Sequence, residues 1–175
     1  IYNRDTIAID LQNWTISDNG APRVITTTSF PLCPGEYALL CSNASNFFGY
    51  NNVIAVPSFP ALTNSGERIV LHNDLGTMID SLDYLDTWYQ DGVKAQGGWS
   101  LELINVTDLC AGSTNWIASI DACGGTPGAQ NSVFSNVVDV TGPAITSIVV
   151  TGANTLSVCF NEALDISTAN TASNY

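Results

Sequence analysis

The chain has 175 residues, 45% hydrophobic and only 11% charged, with four Lys or Arg against sixteen Asp or Glu and a formal net charge of −12. A charged share well below the ~25% of ordinary soluble domains leaves Asn, Ser, Thr and Gly to supply polar surface, a mix that suits strands and turns better than long helices. So acidic a surface repels phosphate backbones and anionic headgroups, which excludes nucleic-acid binding through a basic patch.

In chain order, Ile1-Tyr2-Asn3 reads as the tail of a strand, and further residues with any targeting signal are expected ahead of it. From Thr6 to Leu11 the period is two: Ile7, Ile9 and Leu11 share one face, Thr6, Ala8 and Asp10 the other. Trp14 and Ile16 continue the alternation to a turn at Asp18-Asn19-Gly20. Pro34-Gly35 predicts a turn into a strand over Glu36–Cys41, where Tyr37, Leu39 and Cys41 alternate with Glu36, Ala38 and Leu40. Arg68–His72 is a strand, and Asn73-Asp74-Leu75-Gly76 reads as the hairpin loop into Thr77–Tyr84. Trp99, Leu101 and Leu103 point one way, with Ser100, Glu102 and Ile104 the other. No stretch keeps a helical period, so the expected class is all-β, a sandwich or barrel of many short strands.

The composition shifts after Gly124-Gly125-Thr126-Pro127-Gly128. Residues 1–132 are read as one unit and 133–142 as a linker. Residues 143–175 then open a second unit, with strands over Ile145–Val150 and Thr155–Phe160 around a Gly152-Ala153-Asn154 turn. Two or three strands cannot close a core, so this piece is expected to pack on the first unit or on a neighbouring chain, or to belong to a truncated domain. The longest apolar runs, such as Ile145 to Val150, fall far short of the ~18 residues of a transmembrane helix, so no membrane insertion is expected.

Five cysteines sit at 33, 41, 110, 123 and 159, with no C-x-x-C pair to suggest zinc. Cys110 and Cys123 flank a loop of a length that a disulfide would stabilise by roughly 3 kcal/mol in an oxidising compartment. Cys33–Cys41 is a second candidate pair, buried free thiols are the plainer reading, and the odd count leaves at least one thiol, Cys159 in this scheme, unpaired within the chain.

Several segments together resemble the bacterial lamin-tail domain, an immunoglobulin-like sandwich. They are Tyr2-Asn3, Ile9-Asp10-Leu11, Trp14-Thr15-Ile16-Ser17-Asp18, Pro34-Gly35-Glu36-Tyr37 and the run from Phe59 to Glu67. Ile79-Asp80-Ser81, Gly98-Trp99-Ser100-Leu101-Glu102 and Gly124 to Asn131 follow in the same order. The resemblance covers residues 1–132 but lacks the family's first strand, which implies a vacant edge, filled by residues 145–160 or by strand exchange with a neighbouring chain. Residues 139–175, with Pro143, Phe160-Asn161-Glu162-Ala163-Leu164-Asp165 and Tyr175, resemble the opening of a bacterial surface-protein immunoglobulin-like domain. Both resemblances imply a secreted or cell-surface bacterial protein in which such modules serve as spacers or adhesive units.

Little in the sequence points to catalysis. His72 is the one histidine, on a strand beside a hairpin, and no G-x-S-x-G elbow accompanies it. Glu36, Glu67 and Glu102 fall on separate strands, which leaves a carboxylate pair neither shown nor excluded. Asp80, Asp83, Asp86 and Asp91 are dense enough in oxygen to hold Ca²⁺, with Asp83, Asp86 and Asp91 as ligands. They lack EF-hand spacing, and a solvated acidic loop is the plainer reading. Trp14 and Trp99 alternate with polar residues and are read as core, whereas Trp88 and Tyr89 sit in a polar loop as a candidate ligand-binding surface. The expectation is a non-catalytic structural or adhesive module with a protein or glycan partner. The alternative is a carbohydrate- or calcium-dependent binding module accompanying a secreted hydrolase.

Overall fold

The computed structural model describes residues 1–108, 111–137, 142–160, 164 and 169–171. Its strands are β1 (Ile9–Asp10), β2 (Thr15–Asp18), β3 (Arg23–Val24), β4 (Pro31–Leu32), β5 (Leu39–Cys41), β6 (Val53–Ala55), β7 (Gly66–His72), β8 (Met78–Leu85), β9 (Leu101–Leu103), β10 (Trp116–Ala118), β11 (Ile145–Gly152) and β12 (Thr155–Phe160). Between them lie short 3-10 turns at Ala44–Phe47, Asp86–Tyr89, Lys94–Gln96 and Gly112–Asn115. The described chain is all-β in class. Its largest sheet is antiparallel in the order β3-β2-β7-β8, with β1-β4, β9-β10 and β11-β12 as antiparallel pairs and β5-β6 as a parallel one.

The β7–β8 hairpin forms where its loop was expected. Asn73 closes it: its side-chain oxygen accepts from the N–H of Leu75 and of Thr77, and Gly76 adopts φ +76°. The strand expected over Thr6–Leu11 shrinks to Ile9–Asp10. Asn3 is the cause, since its amide donates to Ile7 O at 2.9 Å and Leu32 O at 2.8 Å while its oxygen accepts from Asp5 N. Those bonds bend residues 5–7 away from a ladder and leave Ile7 65% exposed.

The core is small. Leu11, Ile25, Leu32, Ala38, Ile54 and Val56 are buried together, and Trp14, Ile16, Phe59 and Leu71 pack against them half-buried. Ala38 was assigned to the face opposite Cys41, yet both are buried. The reason is that residues 1–3 run beside 36–38, with Ala38 N donating to Ile1 O, while Leu39–Cys41 pair with β6.

Residues 145–160 pair with each other around Ala153-Asn154 and not with an edge of the first unit, so that half of the vacant-edge expectation is corrected. A register shift between Ile145 and Ser147 places Ile145 on one face with Ile148, Val150, Leu156, Val158 and Phe160. Before the hairpin, Ser135 N donates to Ile104 O and Asn105 donates to Val137 O, which ties the start of the linker region to the first unit.

Candidate functional site

Cross-strand pairing sets one face of the large sheet: Ile16 lies opposite Leu71, and Ile69 opposite Leu82. At one end, Ile16 and Leu71 close on the core. At the other, Ile69, Leu82 and Tyr84 instead line an open cleft of about 370 Å³. Tyr89, Ala95, Gly97, Gly98, Trp99, Leu101 and Trp116 also line it, together with Leu62, Thr63 and Asn64.

Hydrogen bonds hold these walls. Tyr84 Oη donates to Thr63 O at 2.6 Å and lies 3.2 Å from Glu67 Oε1. Burial, and then Glu67 beside it, pushes the Tyr84 phenol up to about 12. Tyr89 Oη donates to Trp99 O at 3.2 Å, and burial pushes its phenol up as well. Lys94 Nζ donates to Ser119 O at 2.7 Å and stands 4.3 Å from the centroid of the Trp99 ring, a cation–π contact. Gly124 has φ +89° and packs so closely on Gly98 O that a Cβ there would collide with it.

Glu102 anchors this region from behind. Only 3% exposed, its carboxylate accepts from Ser132 N at 2.8 Å, Ser132 Oγ at 2.7 Å, Thr126 Oγ1 at 2.8 Å and Ser100 Oγ at 3.2 Å. Burial pushes the carboxyl up, but the hydroxyls of Ser132, Thr126, Ser119 and Ser100 outweigh it and leave it below its ordinary value. Such donors satisfy a buried carboxylate without a cation.

The expected site residues divide. Tyr89 lines the cleft, whereas Trp88 lies behind it against Trp116, ring centroids 6.4 Å apart. Trp99, expected in the core, lines the cleft instead, its ring met by the Lys94 ammonium and not by the core side chains. Asp83 lies 3.8 Å from Arg68, Asp86 opens a 3-10 turn, and Asp91 accepts from Val93 N and Lys94 N, whose N–H groups lower its pKa. Among the described residues no three His, Cys, Asp or Glu side chains converge as a cation site, so Asp83, Asp86 and Asp91 are not brought together. His72 ends β7 opposite Thr15 and Met78, away from the cleft lining.

The Cys33–Cys41 pairing is corrected: both are free thiols, Cys33 exposed and Cys41 turned inward with Sγ 3.7 Å from Ile54 O. Cys123 and Cys159 are exposed free thiols, and Cys110, the expected partner of Cys123, lies outside the described residues. Glu102 was placed on the face opposite Trp99, which was read as core, and its burial was missed; the signal available was the cluster of Ser and Thr at 126–132 able to donate to it.

No family model, no curated protein and no solved structure matches this chain.

Proposed function

We propose that the chain is a non-catalytic, immunoglobulin-like structural or adhesive module of a larger secreted or cell-surface bacterial protein, making contact through its open aromatic cleft. One observation carries the reading: the cleft is lined mainly by apolar and aromatic side chains, with Thr63 and Asn64 as polar exceptions and no His, Cys, Asp, Glu or Lys among them. Its two phenols already donate to Thr63 O and Trp99 O. Such a surface offers area for contact and no nucleophile or base for chemistry. The sandwich reading is supported by the way the β7–β8 face and the β9–β10 pair line one cleft.

The test is to probe arrays of extended peptides and of glycans with the labelled chain and with Leu82→Asp, using Tyr84→Ala if that variant does not fold. Peptide signal lost in the variant is expected. Signal on glycans alone moves the reading to a carbohydrate-binding module. Signal that survives in the variant, or turnover of any arrayed ligand, overturns it.

A further inference from the structure

Strand β8 is the outer strand of the four-stranded sheet, and it runs for eight residues where the opposite edge, β3, has two. Its backbone alternation can be assigned. Asp86 N donates to Ser65 O, so the antiparallel ladder turns the backbone groups of Leu82 and Tyr84 toward β7 and those of Ser81, Asp83 and Leu85 outward. The Ser81 N–H accordingly finds its partner in the Asp80 carboxylate at 2.8 Å, not in β7. Among the described residues the outward side is an unpaired edge of the kind that accepts an added strand.

That edge adjoins the cleft, since Leu82 and Tyr84 of β8 line it. A strand laid along β8 would direct alternate side chains toward the cleft and the others to the opposite face, where Asp83 stands. Charge selects the occupant. Residues 74–91 hold five aspartates and no lysine or arginine, and the whole chain carries −12. Arg68, 3.8 Å from Asp83, is the one cation paired across this hairpin among the described residues. A second copy of the chain would bring aspartates against aspartates, so homotypic pairing is repelled.

We infer that the β8 edge and the cleft together form a docking site for an extended segment of a partner protein in which apolar residues alternate with Lys or Arg. This rests on the cleft being the contact surface. Main-chain hydrogen bonds to Asp83 and Leu85 would hold the segment, apolar side chains would fill the cleft, and the basic ones would face Asp83 on the opposite side of the sheet.

The experiment titrates the purified chain with a capped decapeptide of alternating lysine and valine, with a glutamate–valine peptide as control. Tryptophan fluorescence reads binding, and amide hydrogen exchange reads Asp83 and Leu85. Binding of the lysine peptide is expected, with protection of those two amides and a loss of about tenfold in affinity in the variant Asp83→Lys. No binding up to about 1 mM, equal binding of the glutamate peptide, or binding without amide protection overturns the proposal. The dye bis-ANS, titrated in parallel, separates the two readings. If it fluoresces with the native chain and not with Leu82→Asp while the peptide fails, the cleft stands and the edge falls; if it does not fluoresce at all, the cleft falls too.

Discussion

Glu102 Oε2 accepts both the backbone N–H and the hydroxyl of Ser132, thirty residues away in sequence, at 2.8 and 2.7 Å. This one carboxylate joins β9 to the turn region after β10, and Leu101 beside it lines the cleft. Glu102→Ala strands several half-buried donors and is expected to cost about 2–4 kcal/mol, Glu102→Gln about half of that, read from urea midpoints. The pH dependence follows from the direction of the shift. A carboxyl held below its usual 4.5 contributes stability in full above that value and loses it as pH falls through the folded value. Between neutral pH and pH ~3 the native chain is therefore expected to lose more stability than Glu102→Gln.

Tyr84 gives the opposite sign. Its phenol, raised from 10.0 to about 12, contributes stability below pH 10 that declines as pH rises toward 12. Tyrosinate absorbance is expected to show Tyr84 titrating last, beyond the Tyr37 and Tyr89 phenols that burial also raises, and Tyr84→Phe to remove that last phase. The same variant leaves Glu67 and Thr63 O without the hydroxyl and loosens the Thr63 end of the cleft.

The thiols differ in access. Cys33, Cys123 and Cys159 are exposed and Cys41 is buried. Iodoacetamide followed by peptide mass analysis is expected to label the first three in the native chain, with Cys41 slower by at least about tenfold until denaturant is added.

Calcium is expected to leave the melting temperature within about 1 °C in millimolar CaCl₂ against EDTA, because Asp83, Asp86 and Asp91 do not converge. A rise of several degrees, absent with Mg²⁺, would restore the calcium-dependent reading.

Replacing Gly66 tests the register of the large hairpin. Gly66 has φ +124°, and a Cβ would collide with Tyr84 O. Gly66→Ala is expected to cost about 2 kcal/mol or more in thermal or urea unfolding and to disturb Tyr84 first.

Much of this architecture is local and so legible in the residues. The Asn73-to-Gly76 loop needs only one asparagine side chain and one glycine with positive φ, both readable in sequence, and the hairpin followed where it was placed. Short alternating runs and the scarcity of charge were enough for an all-β class. The aspartates were legible as a run but not as a site, because whether carboxylates converge depends on the directions strands and turns give them.

What only the tertiary structure decided concerns contacts distant in sequence. Period two sorts residues into faces but does not say which face is covered, or by what. Trp99 and Tyr89 became cleft residues because the β7–β8 face extends past the small core, and Glu102 went inside because donors from residues 100, 126 and 132 meet there. Composition and alternation determine strands; the spacing between layers, which no single strand carries, determines where the chain leaves an opening.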